Sequence, residues 1–227
     1  TVTLKRGDEA LDVYKTRMGI RTVELDRTST VKANGEGRFR FIVNGKPIFL
    51  MRTNWVPVDA LHSRDAKRLP AILPMLNDLS CNVIRIWGGN VYEDDILYNF
   101  CDENGILVWQ DFMFASVGYP VHKLEDEIIK EANYQIRRLR KYTCIALWCG
   151  CNEDYNSWEY ICNNEVVRDF YGVVKGEEDE QSDFGVYNDV TASKEIFRPK
   201  EDPLLHTMIL RGLVGRFANG VPFIESS

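Results

Sequence analysis

The sequence has 227 residues, 44% hydrophobic and 27% charged, a composition typical of a globular protein with one large domain or two small ones. Its net charge of −6 and the lack of any basic block argue against a nucleic-acid or membrane-surface partner. No run of about 18 apolar residues is present, which argues against a membrane-spanning helix.

Residues 1–31 have the pattern of β-strands, with apolar side chains at positions such as Val13, Val23 and Leu25. A piece of about thirty residues buries too little surface to fold alone. We therefore interpret 1–31 as the C-terminal strands of an immunoglobulin-like β-sandwich domain. A polar, glycine-containing linker at 29–38 leads from it into a second domain over 38–227.

From residue 38 onward the predicted strands and helices alternate. Asn44-Gly45 is expected to form the turn of a hairpin that starts at Phe39. Asp65 is expected to cap a helix that Pro74 would kink. The remaining pattern predicts strands at 47–51, 82–87, 106–111, within 144–153 and at 222–227, and helices at 93–104, 123–142 and 204–217.

This alternation predicts an α/β fold with parallel strands and helical crossovers. No glycine-rich phosphate loop follows the first strand, so a doubly wound nucleotide-binding fold is the weaker choice. The strands end instead in polar or aromatic residues that would meet on one rim. We predict a (β/α)8 TIM-barrel catalytic domain that is incomplete, with about five strands.

The stretch 144–153 is the strongest indication of an active site. Its apolar first half is long enough for a buried strand, and it stops at Asn152 and Glu153. A buried strand that ends in an amide and a carboxyl has the layout of a barrel active site. Taken alone, Glu153 is equally compatible with a surface salt bridge. Arg85, in the middle of the strand at 82–87, would need a carboxylate partner if it is buried.

Six cysteines and three scattered histidines give no metal-binding spacing. Cys149 and Cys151 are one residue apart without a histidine pair, and the others lie mostly in apolar patterns, where a thiol behaves as a small hydrophobe. We expect reduced, structural thiols and treat His62, His122 and His206 as non-catalytic. Reduced thiols and the lack of an Asn-x-Ser/Thr site slightly favour an intracellular location, with a periplasmic one also compatible.

Six segments together resemble glycoside hydrolase family 2, specifically its β-mannosidase branch. The resemblance covers residues 17 to about 160 and is carried, in chain order, by Met-Gly-Ile-Arg-Thr-Val-Glu-Leu at 18–25, Phe-Ile-Val-Asn-Gly-Lys-Pro-Ile-Phe-Leu at 41–50, Thr-Asn-Trp-Val-Pro at 53–57, Ile-Arg-Ile-Trp-Gly-Gly-Asn-Val-Tyr-Glu at 84–93, Gly-Ile-Leu-Val-Trp-Gln-Asp-Phe-Met-Phe-Ala at 105–115 and Ile-Ala-Leu-Trp-Cys-Gly-Cys-Asn-Glu-Asp-Tyr at 145–155. An Asn-Glu pair alone would be a poor signal, whereas this ordered set is specific.

The resemblance implies a retaining exo-glycosidase that removes non-reducing β-D-mannose from β-linked oligosaccharides without a cofactor or metal. It assigns Glu153 as acid/base and Asn152 as the amide that binds the sugar 2-hydroxyl. The resemblance also implies that Trp87 forms a wall of the mannose subsite, with Asn54 and Trp55 nearby. It places Arg85 beside the nucleophile, which would supply the carboxylate partner of this arginine. Asp111, at the end of its strand, could form a two-acid pair with Glu153, but its position favours a structural or hydroxyl-binding role, because a strand-end aspartate often caps the next helix.

The nucleophile of the family is a glutamate in a Ser-Glu-Tyr/Phe-Gly type of motif, which this sequence lacks. Glu225 is not its equivalent, because its position matches serines of the family's fifth strand. Two departures precede Asn152: Lys-Tyr-Thr at 141–143 replaces Asn-His-Pro, and Cys151 replaces an asparagine. Two alternatives stay open, an exo-β-glucosaminidase or other exo-glycosidase of the family, and an inactive barrel fragment with a binding or assembly role. The oligomeric state is not predicted.

Overall fold

The computed structural model describes residues 1–27, 39–116, 119–154, 173–174, 186–187 and 204–227. The predicted linker, the acidic residues at 177–180 and Cys162 lie outside the described residues.

The strands are β1 Val2–Arg6, β2 Glu9–Tyr14, β3 Val23–Asp26, β4 Arg40–Val43, β5 Lys46–Pro47, β6 Arg52–Trp55, β7 Val83–Ile86, β8 Leu107–Asp111, β9 Ile145–Cys149, β10 Val173–Val174, β11 Val186–Tyr187 and β12 Phe223–Ile224. The α-helices are α1 Asp65–Ile72, α2 Pro74–Asp78, α3 Asp95–Asn104, α4 Val121–Leu139 and α5 Arg211–Phe217, with a 3₁₀ turn at His62–Arg64 and a π-helical stretch at Leu204–Leu210.

The centre of the fold is a five-stranded sheet in the order β12-β9-β8-β7-β6, and all four pairings are parallel. Each strand lies beside its predecessor among these five, so the winding never reverses. A doubly wound nucleotide fold reverses its strand order at a switch point, and this sheet does not. The predicted parallel α/β sheet is therefore confirmed, and the arrangement is consistent with part of an α/β barrel.

The helices cover one face of this sheet and form the larger hydrophobic core. α4 shows why: Ile128, Ala132, Ile136 and Leu139 follow one another at helical spacing and are all buried. Trp148 points from β9 into the same core and stacks on Phe112, with ring centroids 4.8 Å apart. None of the helices in the described ranges is both long and apolar enough to cross a bilayer.

The opposite face of the sheet packs on a second, smaller core that includes Trp109, Leu147 and Cys149. Val23 and Phe41 reach this core from a three-stranded antiparallel sheet, in the order β3-β4-β5. The pairing of β3 with β4 crosses the predicted linker. One antiparallel sheet thus joins residues from both predicted domains, and the division at 31 and 38 stays a prediction.

The turn of the β4–β5 hairpin forms at the predicted Asn44-Gly45 pair, where both residues have positive φ, 50° and 75°. Two adjacent left-handed residues match the twist of a tight hairpin, which is why Asn-Gly is favoured there. β1 and β2 also form an antiparallel hairpin, and every residue in these two strands is exposed.

Two local predictions are corrected. The strand expected at 47–51 starts instead at Arg52, because Asn82 holds the preceding residues outside the sheet: its side chain accepts from the Met51 N–H at 2.9 Å and donates to the Phe49 carbonyl at 2.7 Å. Asp65 does not cap its helix but bonds to Nδ1 of His62 at 2.9 Å. The expected interruption at Pro74 is confirmed, since α2 starts there.

The α4 stripe leads to a stability prediction. Replacing the fully buried Ile136 with alanine leaves a cavity and should lower the free energy of unfolding by about 2–5 kcal/mol, measured by urea denaturation. Tyr134→Ala on the same helix is the control, because Tyr134 is 64% exposed and its loss should cost no more than about 0.5 kcal/mol. Equal costs for the two variants would contradict this packing of α4.

Candidate active site

The site lies at the carboxyl ends of the parallel strands, on the sheet face away from the helices. The strand register aligns Asn54 with Arg85 and Arg85 with Trp109, so these three side chains stand on the same face. Asp111 follows Trp109 by two residues and therefore shares that face. The structure thus brings one amide, one cation and one carboxylate toward the same edge of the sheet.

A buried ion pair between Arg85 and Asp111 occupies the middle of the site. Nη2 of Arg85 lies 2.7 Å from Oδ2 of Asp111, and its Nε lies 3.2 Å from both carboxylate oxygens. Arg85 is 7% exposed and Asp111 is fully buried. The prediction that a buried Arg85 needs a carboxylate partner is confirmed, and the partner in this structure is Asp111. The implied place of Arg85 beside the nucleophile stays a prediction.

Two further groups complete the surroundings of this ion pair. The backbone N–H of Gly88 donates to Oδ2 of Asp111 at 3.0 Å. The guanidinium carbon of Arg85 lies 5.6 Å from the centre of the Trp109 ring, and that of Arg52 lies 5.0 Å from the same ring. Cation–π contact of this kind stabilises a desolvated guanidinium. Trp109 is buried in the smaller core and also contacts the arginine of the ion pair.

Asn152 is held by the same arginine. Its side-chain oxygen accepts from Nη2 of Arg85 at 3.0 Å, and its backbone is tied on both sides to the loop after β8, through the Phe114 carbonyl at 2.9 Å and the Ser116 N–H at 3.0 Å. A guanidinium only donates hydrogen bonds, so the amide oxygen must face Arg85 and the amide nitrogen must point elsewhere. Arg85 thereby fixes which way the Asn152 amide is turned.

Glu153 stands next to Asn152 with an exposed side chain and a left-handed backbone, φ 58°. A residue with a side chain adopts this conformation at a cost of about 1–3 kcal/mol, and such strain is frequent at functional sites. The Glu153 N–H donates to the carbonyl of Ser227 at 3.1 Å, which ties the residue to the end of the chain beyond β12. The strained backbone turns the carboxyl to the open rim while both neighbours stay buried.

Trp87 follows β7 and is half-buried, with its six-membered ring against Gly89. A Cβ atom on Gly88 would lie 2.5 Å from the carbonyl oxygen of Phe114 and 3.3 Å from the backbone nitrogen of Asn152. The loops after β7, β8 and β9 therefore meet backbone to backbone, and only glycine fits between them. The Gly-Gly pair after Trp87 was visible in the sequence, but its packing role was not.

Two of the predicted site residues have buried side chains, and their roles at the sugar stay predictions. Trp55 lies near Trp87, whose backbone N–H donates to the Trp55 carbonyl at 3.4 Å, and its indole N–H donates to Glu93 at 3.0 Å on the helix side of the sheet. Its side chain therefore lies on the opposite face from that of Asn54. The physical reason is the two-residue period of a strand, which sends neighbouring side chains to opposite faces. Asp111 has no exposed surface for a sugar hydroxyl, and its carboxylate is taken up by Arg85 and Gly88. This burial favours the structural role considered for Asp111 over hydroxyl binding.

Burial raises the pKa of Asp111 to about 6, and the rise is limited by the hydrogen bond and charge of Arg85 and by the Gly88 N–H. Asp111 is therefore mostly ionised at pH 7. Burial likewise raises the pKa of the Cys149 thiol, with the charge of Asp111 adding to the effect.

The cysteines within the described ranges are free thiols, as predicted: Cys81, Cys101, Cys144, Cys149 and Cys151.

Comparison with known proteins places this arrangement in a family. No protein-family model matches the sequence. The chain is 40% identical over 149 residues to mouse β-mannosidase, a match that covers 65% of this chain and 16% of the mouse protein. It is also 40% identical over 162 residues to β-mannosidase B of Neosartorya fischeri, covering 70% of this chain and 19% of the fungal protein.

The solved structure of a β-D-mannosidase from Dictyoglomus thermophilum matches 98% of this chain and 24% of that protein, at 30% identity and a TM-score of 0.70. The chain belongs to glycoside hydrolase family 2. The resemblance to the β-mannosidase branch of this family, predicted from the sequence motifs, is confirmed by these relatives. A β-glucuronidase from Parabacteroides merdae, 18% identical with a TM-score of 0.61 over 98% of this chain and 25% of that protein, shows the fold alone.

The family 2 chain spans less than a fifth of the length of the curated relatives described here. Within this chain, Arg85, Asp111 and Asn152 form one connected group of contacts, and Glu153 follows Asn152 directly.

Gly88 gives a direct test of the loop packing. Gly88→Ala in this family 2 chain should lower the free energy of unfolding by about 1–3 kcal/mol, because the new methyl group meets backbone atoms that cannot turn away. Gly212→Ala is the matched control: a Cβ there meets nothing within 4 Å, and alanine in α5 should stabilise by up to about 1 kcal/mol. Thermal denaturation measures both, and a neutral Gly88→Ala would refute the close approach.

The raised pKa of Asp111 predicts a pH dependence of stability. The folded chain binds this proton more tightly than the unfolded chain does, so stability should fall as the pH rises from about 4 to about 6. The loss should be on the order of 3 kcal/mol, from the interval between the ordinary pKa and the raised one. Urea titrations of the wild type and of Asp111→Asn at each pH measure it, because only the wild type carries the titrating group. A difference between the two that stays constant with pH would contradict this assignment.

Proposed function

We propose that the protein hydrolyses terminal β-D-mannosides from the non-reducing end of β-linked oligosaccharides, with Glu153 as the acid/base of a retaining mechanism. The observation that carries the proposal is the placement of Glu153: a strained, exposed carboxyl at the carboxyl end of a buried parallel strand, next to an oriented amide. Its sequence similarity to enzymes named β-mannosidase supports mannose as the sugar.

In this mechanism Glu153 first donates its proton to the glycosidic oxygen as the bond to the sugar breaks, and a second carboxylate attacks the anomeric carbon. A water molecule, deprotonated by Glu153, then releases the sugar from the resulting glycosyl-enzyme. Both steps need Glu153 to be reached by the leaving group and by water, and its exposed side chain is compatible with that. The nucleophile requires a second carboxyl about 5–5.5 Å away. Asp111 does not meet this requirement, because it is buried in its pair with Arg85.

Asn152 and Trp87 would both contact the non-reducing mannose. The Asn152 oxygen is occupied by Arg85, so its NH₂ group is the part available to donate to a sugar hydroxyl. The half-buried Trp87 ring offers an apolar face to the sugar ring, and Asn54 offers an exposed amide on the same face of the sheet as Arg85. The proposed chemistry uses side chains alone and requires no cofactor.

The fold proposal follows from the same relatives. We expect the five parallel strands to be consecutive strands of an eight-stranded barrel, with the nucleophile glutamate supplied from residues other than these 227. The 227-residue chain alone should then give no turnover of an aryl β-D-mannoside, while the whole protein turns it over. Turnover by the chain alone would show that the nucleophile lies within this sequence.

Glu153→Gln in the whole protein tests the acid/base assignment. It should lower kcat/KM for an aryl β-D-mannoside with a poor leaving group by about 10²–10⁴-fold, since proton donation is lost. Glu127→Gln is the control, because that carboxyl is on the surface of α4 with a side-chain exposure of 72%, and its activity should stay at the wild-type level.

Glu153→Ala separates acid/base failure from misfolding. With a dinitrophenyl leaving group, which needs no proton, the variant should still form the glycosyl-enzyme in a burst and then stall, and added azide should restore turnover. A variant that is inactive in the burst phase while retaining its fold would contradict the assignment. An aryl β-D-glucosaminide tested in parallel decides the sugar: preferred hydrolysis of that compound would replace mannose in the proposal.

A further inference from the structure

Three side chains with metal-binding atoms lie together beside the site. Cys151, Asp154 and His206 each offer one such atom, and these atoms all lie within 4.8 Å of one another. Cys151 and His206 are fully buried, and Asp154 is 1% exposed. Cys151 and Asp154 flank the Asn152-Glu153 pair, while His206 comes from the π-helical stretch that precedes α5. The glycosidase mechanism uses none of the three.

The hydrogen bonds around Asp154 and His206 leave one oxygen of this cluster without a partner in the described part of the chain. Nε2 of His206 lies 3.1 Å from Oδ2 of Asp154. The other carboxylate oxygen, Oδ1, is buried and has no hydrogen-bond partner among the described residues. A buried carboxylate oxygen without a partner loses its hydration with no compensating bond, which indicates a missing ligand. A Cβ atom on Gly150 would lie 3.1 Å from Nδ1 of His206, so glycine there lets the imidazole pack directly against the β9 backbone.

The chemistry of the three donors suits one class of ion. Thiolate, imidazole and carboxylate are the ligands of Zn²⁺, which binds four donors and often keeps one position for water. Calcium and magnesium prefer sets of oxygen atoms, which a thiol does not complete. A Zn²⁺ ion would also balance the charge, because one thiolate and one carboxylate neutralise it in a site with almost no solvent.

We infer that Cys151, Asp154 and His206 form a binding site for one divalent transition-metal ion, with zinc as the ion that fits best. The thiol loses its proton to solvent when the ion binds, and the sulfur, one imidazole nitrogen and one carboxylate oxygen become ligands. The ion would link the turn after β9 to the helix at 204–217 and hold both ends of the Asn152-Glu153 pair. The site is structural and independent of the proposed glycosidase reaction.

Metal content tests this inference directly. The whole protein, purified with zinc, dialysed and analysed by mass spectrometry, should contain one zinc per chain more than Cys151→Ser does. Cobalt added to the apoprotein should give a thiolate-to-metal charge-transfer band in the near ultraviolet, which Cys151→Ser should lack. Competition with a chromophoric chelator should show affinity reduced by more than about 100-fold in Cys151→Ser, since even an outer-shell partner costs about 10–100-fold.

Cys101→Ala is the matched control, because Cys101 is also a fully buried thiol but lies in the helical core away from this cluster. It should retain the zinc and the charge-transfer band. Cys151→His keeps the site usable if Cys151→Ser fails to fold: it should bind zinc while losing the band. A wild-type protein that takes up no zinc under these conditions overturns the inference, as does a band that persists in both Cys151 variants. Neither result bears on mannoside hydrolysis.

Discussion

The ion pair between Arg85 and Asp111 is the interaction on which the rest of this site depends. A guanidinium in the middle of a buried parallel strand is costly to desolvate, and it is stable here because Asp111 on the neighbouring strand accepts from it at 2.7 Å. The paired arginine retains one more donor contact, and that contact orients the Asn152 amide. Charge compensation inside the sheet therefore orients the side chain of Asn152, which lies next to Glu153 at the edge of the sheet.

Close packing between backbone segments, made possible by two glycines, holds the loops at this edge of the sheet together. Gly88 lets the loop after β7 approach the loop after β8 and the backbone of Asn152, and its N–H also donates to Asp111. Gly150 plays a similar part on the other side, where a Cβ would meet the carbonyl of Glu225 after β12. Four consecutive strand ends are held together in this way. Glu153 follows this closely packed backbone and itself adopts a strained left-handed conformation.

The proposed metal site concerns Asp154, the residue that follows Glu153, and the partners that its buried carboxylate needs. In the helical core, buried polar groups such as Tyr98 and Gln110 find each other at 2.7 Å. Asp154 instead has a hydrogen-bond contact at only one of its two oxygens, beside a histidine and a thiol. The sequence resembles its relatives through most of this segment, but Cys151 stands where the family has an asparagine. A cysteine in this buried position offers a thiol as a metal ligand, and it leaves the adjacent Asn152-Glu153 pair in place.

Several features were determined by the sequence alone. Hydrophobic period and turn residues predicted the parallel strands, the α4 stripe, the hairpin at Asn44-Gly45 and the break at Pro74, because each depends on interactions within a few residues. The ordered motifs predicted the family. The tertiary structure alone decided contacts between distant parts of the chain: that Asp111 is the partner of Arg85, and that His206 meets Asp154 across 52 positions. The spacing of these residues in the sequence does not predict such pairs, because they meet only once the strands and helices have packed together.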